Sequence, residues 1–307
     1  MDTMLFKNVK RFIKRGKEMN DFHQSPVIYV RDVSLKVQNL ERSIEFYIDV
    51  IGFKLLQKEG NKAYMTADGK QAILTLEQPE DVVPKQGRTA GLYHFAILLP
   101  TRKDLSKFLR HIAEIRYPIG AGDHLVSEAL YLNDLDGNGI EVYRDRPPET
   151  WKWNGELVHM DTLPVDFEDL LAETAEPWQG LPAGTKMGHI HLHVSDLSKA
   201  EKFYTEGLGF DIVSYYPNAI FLSSGKYHHH VAINTWAGVG VPPTPENGVG
   251  LKSYTVVLPD EEKRQETVQR LQALGAPVKK DGEIYITKDP SQNTIHLVLE
   301  DKAIVRK

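Results

Sequence analysis

His94, Glu141 and His189 are the residues whose types and places most readily do chemistry. Two imidazoles and one carboxylate can take three adjacent corners of an octahedral ion. The remaining corners stay open to substrate and dioxygen, an arrangement that suits iron(II). The same ligands accept manganese(II), because affinity order and availability also matter. His94 lies five residues before Leu99, and His189 five before Val194, so the two stand at matching places in repeated segments. A lone strand histidine is more often packed or solvated than metal-bound. Two at equivalent repeat positions, with a carboxylate on the strand closing one repeat, point to a shared ion. His191 and His193 share the strand face of His189 and remain alternatives to it. Elsewhere the equivalent positions hold Asp32, Ser253 and His296, a set without two imidazoles. One pair of repeats would therefore work, and the other would be structural.

The elements that must position these residues show as internal repeats. Asn39 to Tyr47 followed by Ile51-Gly52-Phe53 matches Asp196 to Tyr204 followed by Leu208-Gly209-Phe210 at an offset of 157. Asn39 and Asp196 suit helix N-caps, and the glycines suit helix ends. Phe95 to Pro100 matches Tyr254 to Pro259 at an offset of 159. Asp134-Leu135-Asp136-Gly137-Asn138 and Asp289-Pro290-Ser291-Gln292-Asn293 turn into the closing strands. Each unit reads as a strand, a helix and short strands broken by turns, over 28–80, 90–146, 186–236 and 249–300. The fold class is α+β, with four βαβββ modules forming two paired-module domains of curved mixed sheets. The expected division is a basic tail 1–27, modules one and two over 28–146, a linker 147–185, and modules three and four over 186–301. The linker carries Trp151, Trp153 and Trp178, which suggests that it packs.

Composition narrows the chemistry. With no cysteine, disulfides, thiolate nucleophiles and Cys-ligated metals are excluded, and a reducing cytoplasm fits. A formal charge of −5 over 307 residues gives no reason to expect nucleic acid or an anionic membrane. No apolar run approaches the ~20 residues of a membrane span. The basic start, with Lys7, Lys10, Arg11, Lys14, Arg15 and Lys17, has no apolar stretch after it and does not read as a secretory signal.

The four units resemble the vicinal oxygen chelate superfamily of glyoxalases, antibiotic-resistance binding proteins and extradiol dioxygenases, over nearly all of 28–300. A narrower pattern resembles extradiol enzymes of the two-domain catechol 2,3-dioxygenase type. Gly122-Asp123-His124 is followed by Leu130-Tyr131, Asp134-Leu135-Asp136-Gly137 and Glu141, with Leu135 where that family has proline. The resemblance implies iron(II)-dependent ring cleavage of a catechol with dioxygen. It implies His229 as the acid–base histidine, with Tyr131 and His124 contacting the substrate. His228-His229-His230 is expected on the closing strand of the third unit, with His229 facing opposite to its neighbours. The site then draws on the second and third units, which would meet within one chain or across a homo-oligomer interface. The other readings are a non-redox binding or resistance protein and a glyoxalase-like isomerase.

Overall fold

The computed structural model describes residues 21–300; the basic segment 1–20 lies outside the described residues. Unit one supplies β1 (Tyr29–Lys36), α1 (Leu40–Phe46), β2 (Lys54–Glu59), β3 (Lys62–Thr66) and β4 (Ala72–Glu77). Unit two supplies β5 (Gly91–Leu98), α2 (Arg102–Glu114), β6 (Gly120–Asp123), β7 (Ser127–Asn133) and β8 (Gly139–Asp145). A ribbon of β9 (Trp153–Asn154) and β10 (Leu157–Val158) and the short α3 (Phe167–Ala172) follow. Unit three supplies β11 (Lys186–His193), α4 (Leu197–Lys202), β12 (Asp211–Tyr216), β13 (Ala219–Ser223) and β14 (Val231–Asn234). Unit four supplies β15 (Gly250–Leu258), α5 (Glu261–Ala273), β16 (Val278–Asp281), β17 (Ile284–Lys288) and β18 (Thr294–Leu299).

These strands form two eight-stranded mixed sheets, as the α+β expectation requires. Sheet one runs β16-β17-β18-β15-β1-β4-β3-β2, and sheet two runs β12-β13-β14-β11-β5-β8-β7-β6. The sequence reading grouped units one with two and three with four. Each sheet instead takes one unit from 28–146 and one from 186–301, so the middle units meet within a single chain. First strands pair antiparallel at each sheet's centre, β1 with β15 and β5 with β11. The two stretches on either side of the linker are tied differently, by clamps that cross between sheets. Tyr47 Oη donates to Asp134 Oδ2 at 2.9 Å, and Tyr204 Oη donates to Asp289 Oδ2 at 3.0 Å.

Local sequence explains the repeated helix. Asn39 and Asp196 each accept the backbone N–H three residues on, at 3.0 Å. After α1 and α4 the helix widens into a π turn, over Tyr47–Ile51 and Phe203–Gly207. Gly52 closes the first at φ 92°, where a Cβ would lie 2.7 Å from the Gly180 Cα, so glycine alone fits there. The main core joins both sheets, with Val33, Leu35 and Leu74 from one and Phe95, Ile97, Ile190 and Leu192 from the other. Strand alternation leaves the opposite face of sheet two to His94, His189 and His191.

One expectation about the connecting segments needs adjusting. Residues 21–27 are not tail-like: Phe22 and His23 are buried, and the Phe22 ring lies 5.6 Å from that of Trp151. The segment 147–185 is anchored at intervals, as its tryptophans suggested, with Trp151, Val158, Leu170 and Leu181 buried and the Trp178 ring 5.3 Å from that of Phe108. Among the described residues no helix is long and apolar enough to cross a membrane.

Candidate metal centre

A bulge turns the histidines inward. On β11 and β5, Met187 pairs with Ile97 but His189 pairs with Ala96, so Gly188 is an extra residue. Met187 and Ile190 therefore both reach the core although three residues apart, and His189 takes the other face. A Cβ on Gly188 would lie 1.9 Å from Tyr143 Oη, which makes glycine a requirement of this packing. On β8, Ile140 and Val142 face the core, and alternation sends Glu141, Tyr143 and Asp145 the opposite way. Gly139 lies opposite His94, where a Cβ would meet the Tyr93 carbonyl at 2.1 Å. Its lack of a side chain lets β8 sit close beside β5.

His94, Glu141 and His189 thus converge from three adjacent strands. Their ligand atoms all lie within 4.8 Å of one another, and all three residues are buried. Nε2 of His94 and Nε2 of His189 are each 3.1 Å from Glu141 Oε2. That is the spacing of neighbouring corners around an ion with bonds of about 2.1 Å. His94 Nε2 is buried yet makes no properly aligned hydrogen bond among the described residues. An imidazole nitrogen held so, beside a carboxylate, is what a cation would satisfy. Burial would raise the Glu141 carboxyl, but His189 and His94 outweigh it and hold it well below the usual range. Burial pushes His189 down to about 4, so at neutral pH a carboxylate stands beside a neutral His189 imidazole, the forms that bind metal. The donor set fits a hard or borderline divalent ion of the iron(II) or manganese(II) kind.

Beside the triad is a cavity of about 330 Å³ lined by Tyr131, His124, His191, His229, Tyr215 and Trp236 among others. Tyr131 pairs with Glu141 across β7 and β8. Burial and then the Glu141 charge hold the Tyr131 phenol well above its ordinary value, so it stays protonated. His124 follows β6, with Nδ1 2.9 Å from the Asp161 carbonyl and Nε2 2.6 Å from Tyr131 Oη. A carbonyl only accepts, so Nδ1 carries the ring proton, and the tyrosine donates to Nε2.

His229 also borders the cavity, its ring 4.0 Å from that of His189. The histidine run, however, lies in the loop ahead of β14 rather than on the strand, so strand alternation does not govern it. His228 is turned towards His229, with the two Nδ1 atoms 2.8 Å apart. Only His230 turns away, with Nε2 donating to the Phe22 carbonyl at 2.8 Å.

The partners of two residues at the site went unread in the sequence. His191 pairs with His94 across β5 and lines the cavity. Its Nε2 accepts from Asn234 Nδ2 at 2.8 Å, while Asn234 Oδ1 takes the Trp236 N–H at 3.0 Å. Asp145, four residues beyond Glu141, accepts from His228 Nε2 at 2.8 Å. Asparagine on β14 could have been paired with His193 by register; nothing in the sequence links residue 145 to 228.

Paired βαβββ units around a buried two-histidine, one-carboxylate group define a class of proteins. The chain belongs to the Glyoxalase/Bleomycin resistance protein/Dioxygenase superfamily, whose model matches residues 30–142 and 186–297. It is 47% identical to the catechol-2,3-dioxygenase of Bacillus subtilis (strain 168) over 277 residues, 89% of this chain and 96% of that protein. It is 31% identical to biphenyl-2,3-diol 1,2-dioxygenase 3 of Rhodococcus globerulus over 150 residues, 45% of this chain and 77% of that one. Among solved structures, glyoxalase I from Zea mays superposes with a TM-score of 0.56 at 18% identity, covering 89% of this chain and 92% of that chain, a likeness of fold alone. These likenesses set the chain among the extradiol ring-cleaving dioxygenases of the superfamily.

Proposed function

We propose that the chain is an iron(II)-dependent extradiol dioxygenase acting on a catechol, with His94, Glu141 and His189 as the metal ligands. The observation that carries this reading is the convergence of three buried ligand side chains within 4.8 Å beside a cavity of about 330 Å³. Iron(II), when bound, supplies the Lewis acidity and redox partner that ring cleavage by dioxygen needs; manganese(II) suits the same donors.

The chain's own groups do the rest. His229 sits at the cavity wall and can take a phenolic proton and return it later in the reaction, a role worth roughly 10²–10⁴ in rate. Tyr131 and His124 act as one hydrogen-bonded pair. With its hydrogen directed to His124 Nε2, Tyr131 Oη offers lone pairs to a ring hydroxyl; rotating that hydrogen away from His124 would let it donate instead. Phe221, Tyr215 and Trp236 give the ring an apolar, aromatic wall that limits water at the reacting centre. The lining holds no lysine or arginine, while Glu141 and Asp161 are acidic, which favours an uncharged diol over one bearing a carboxylate.

Anaerobically iron-loaded protein should consume dioxygen with catechol and form a yellow ring-opened product. Full iron occupancy with no oxygen uptake across a panel of catechols would reject the proposal.

A further inference from the structure

The groups behind His229 form a chain that the reaction as described does not use. Asp145 Oδ1 is 2.8 Å from His228 Nε2 and also accepts from Tyr227 Oη at 3.1 Å. Tyr227 Oη is in turn 2.7 Å from Tyr143 Oη. His228 is fully buried, and its ring lies 4.1 Å from that of Tyr227 and 5.3 Å from that of Trp151. Its other nitrogen, Nδ1, is 2.8 Å from His229 Nδ1.

The proton positions along this chain follow from what each group can do. A carboxylate accepts and cannot donate, so His228 Nε2 carries a proton. A neutral imidazole has one N–H, which leaves His228 Nδ1 as a lone pair. The proton between the two Nδ1 atoms therefore belongs to His229. Its Nε2 is then the lone-pair nitrogen, the only ring nitrogen of His229 left for the cavity.

We infer that Asp145 and His228 are positioning residues that fix His229 in the Nδ1–H tautomer and leave its Nε2 as the acceptor for a substrate proton. The inference rests on the reading of His229 as the acid–base group. The orienting carboxylate is reached through a second imidazole rather than directly, and it sits on β8, the strand that carries Glu141. One strand thus supplies a carboxylate on either side of Tyr143, one to the metal group and one to the base. In a serine-protease triad, a histidine orienter that fixes the wrong tautomer costs about 10⁴ in kcat, so the loss expected here is large.

The test has two arms. Long-range nitrogen–proton correlation spectra of the metal-free full chain, labelled with 15N-histidine, report which ring nitrogen of His229 is protonated and need no activity. His229 should read as Nδ1–H in the unsubstituted protein. Asp145→Asn, which can donate to His228 Nε2 and so reverse the chain, should move His229 towards Nε2–H. His191, anchored separately by Asn234, should not change, which makes it the internal control. In the iron-loaded enzyme, Asp145→Asn and His228→Phe should each lower kcat at least about 10²-fold, with KM for catechol and iron content within twofold. Finding His229 as Nε2–H in the unsubstituted protein overturns the inference whether or not any variant folds. So does an Asp145→Asn enzyme with unchanged kcat, or a loss explained by missing iron. An unsubstituted protein that shows Nδ1–H but cleaves no catechol would count against the proposed reaction and leave the positioning chain standing.

Discussion

Sheets one and two are the same frame carrying different side chains. Both place a bulge at one position of the central first strand: Val30 pairs with Val256 and Asp32 with Thr255, as Met187 pairs with Ile97 and His189 with Ala96. Both slip again after Ser34 and after His191. In sheet one the bulge residue is Arg31, which pairs with Asp32 at 3.0 Å while Thr255 donates to Asp32 at 2.8 Å. In sheet two the bulge residue is Gly188. Asp32, Ser253 and His296 line a cavity of about 130 Å³ on sheet one, where Lys252 and Lys62 both pair with Glu77. Among the described residues only His94, Glu141 and His189 form a metal-ready group. The backbone therefore offers two equivalent places, and side-chain identity alone gives one of them a metal-ready group.

The sharpest way to break that contrast is to remove ligands on one sheet and their counterparts on the other. Losing a ligand's supporting partner costs about 10–100-fold in metal affinity, so losing the ligand should cost more. His94→Ala and Glu141→Ala should abolish detectable ring cleavage and iron uptake, read by oxygen electrode and elemental analysis. Asp32→Ala with His296→Ala should leave turnover within about twofold. Equal losses on both sheets would end the asymmetry. Next in size, His229→Ala should lower kcat by roughly 10²–10⁴ with iron content unchanged. An effect on iron content instead would recast it as a ligand.

The bulges give a stability comparison. Gly188→Ala forces a Cβ against Tyr143 Oη, and overpacking of this kind costs about 1–3 kcal/mol. Denaturant titration should show that loss with a fall in activity, whereas Arg31→Ala should spare activity. Acid sharpens the contrast further. Burial holds His23 and His189 down at about 4, against 6.5 for the exposed group, and burial also lowers His191, His229 and His230. Groups lowered in the folded state take up protons later than in the unfolded chain. The metal-free protein should therefore keep its stability above about pH 6.5 and lose it as pH falls towards 4. Hydrogen exchange should open sheet two first, since the strands of sheet one hold a single histidine, His296. The smallest effect concerns charge in the cavities. Catechol should be preferred over 3,4-dihydroxybenzoate by about tenfold in kcat/KM, the size of ~1.4 kcal/mol of charge discrimination.

Much of the frame was legible because repeats expose themselves by offset. The shared spacing of five residues to Leu99 and to Val194 placed His94 against His189, and the coordinates bring both to Glu141. Sheet pairing was not legible, because offset says which units are alike and not which edges meet. The histidine run 228–230 was misread for a related reason: its place next to an apolar run suggested a strand, and alternation then pointed His228 and His229 apart. In the loop the backbone has no period of two, and the rings come together. The partners of Asp145 and Asn234 depend on contacts between strands far apart in sequence. The packing of residues 21–27 depends on aromatic surface that unit three completes, which a local reading does not reach.

The order of strands carries a consequence for the chain as it is made. Sheet two draws only on the middle of the sequence and has every strand in hand once Asn234 has emerged from the ribosome. Sheet one cannot close until β18 arrives, because its first strand must wait for a partner from the last unit. Long-range pairing of this kind is slow and leaves an edge exposed meanwhile. The half of the molecule without a metal-ready group should thus be the later one to assemble, and the one whose unfinished edge most needs protection during synthesis.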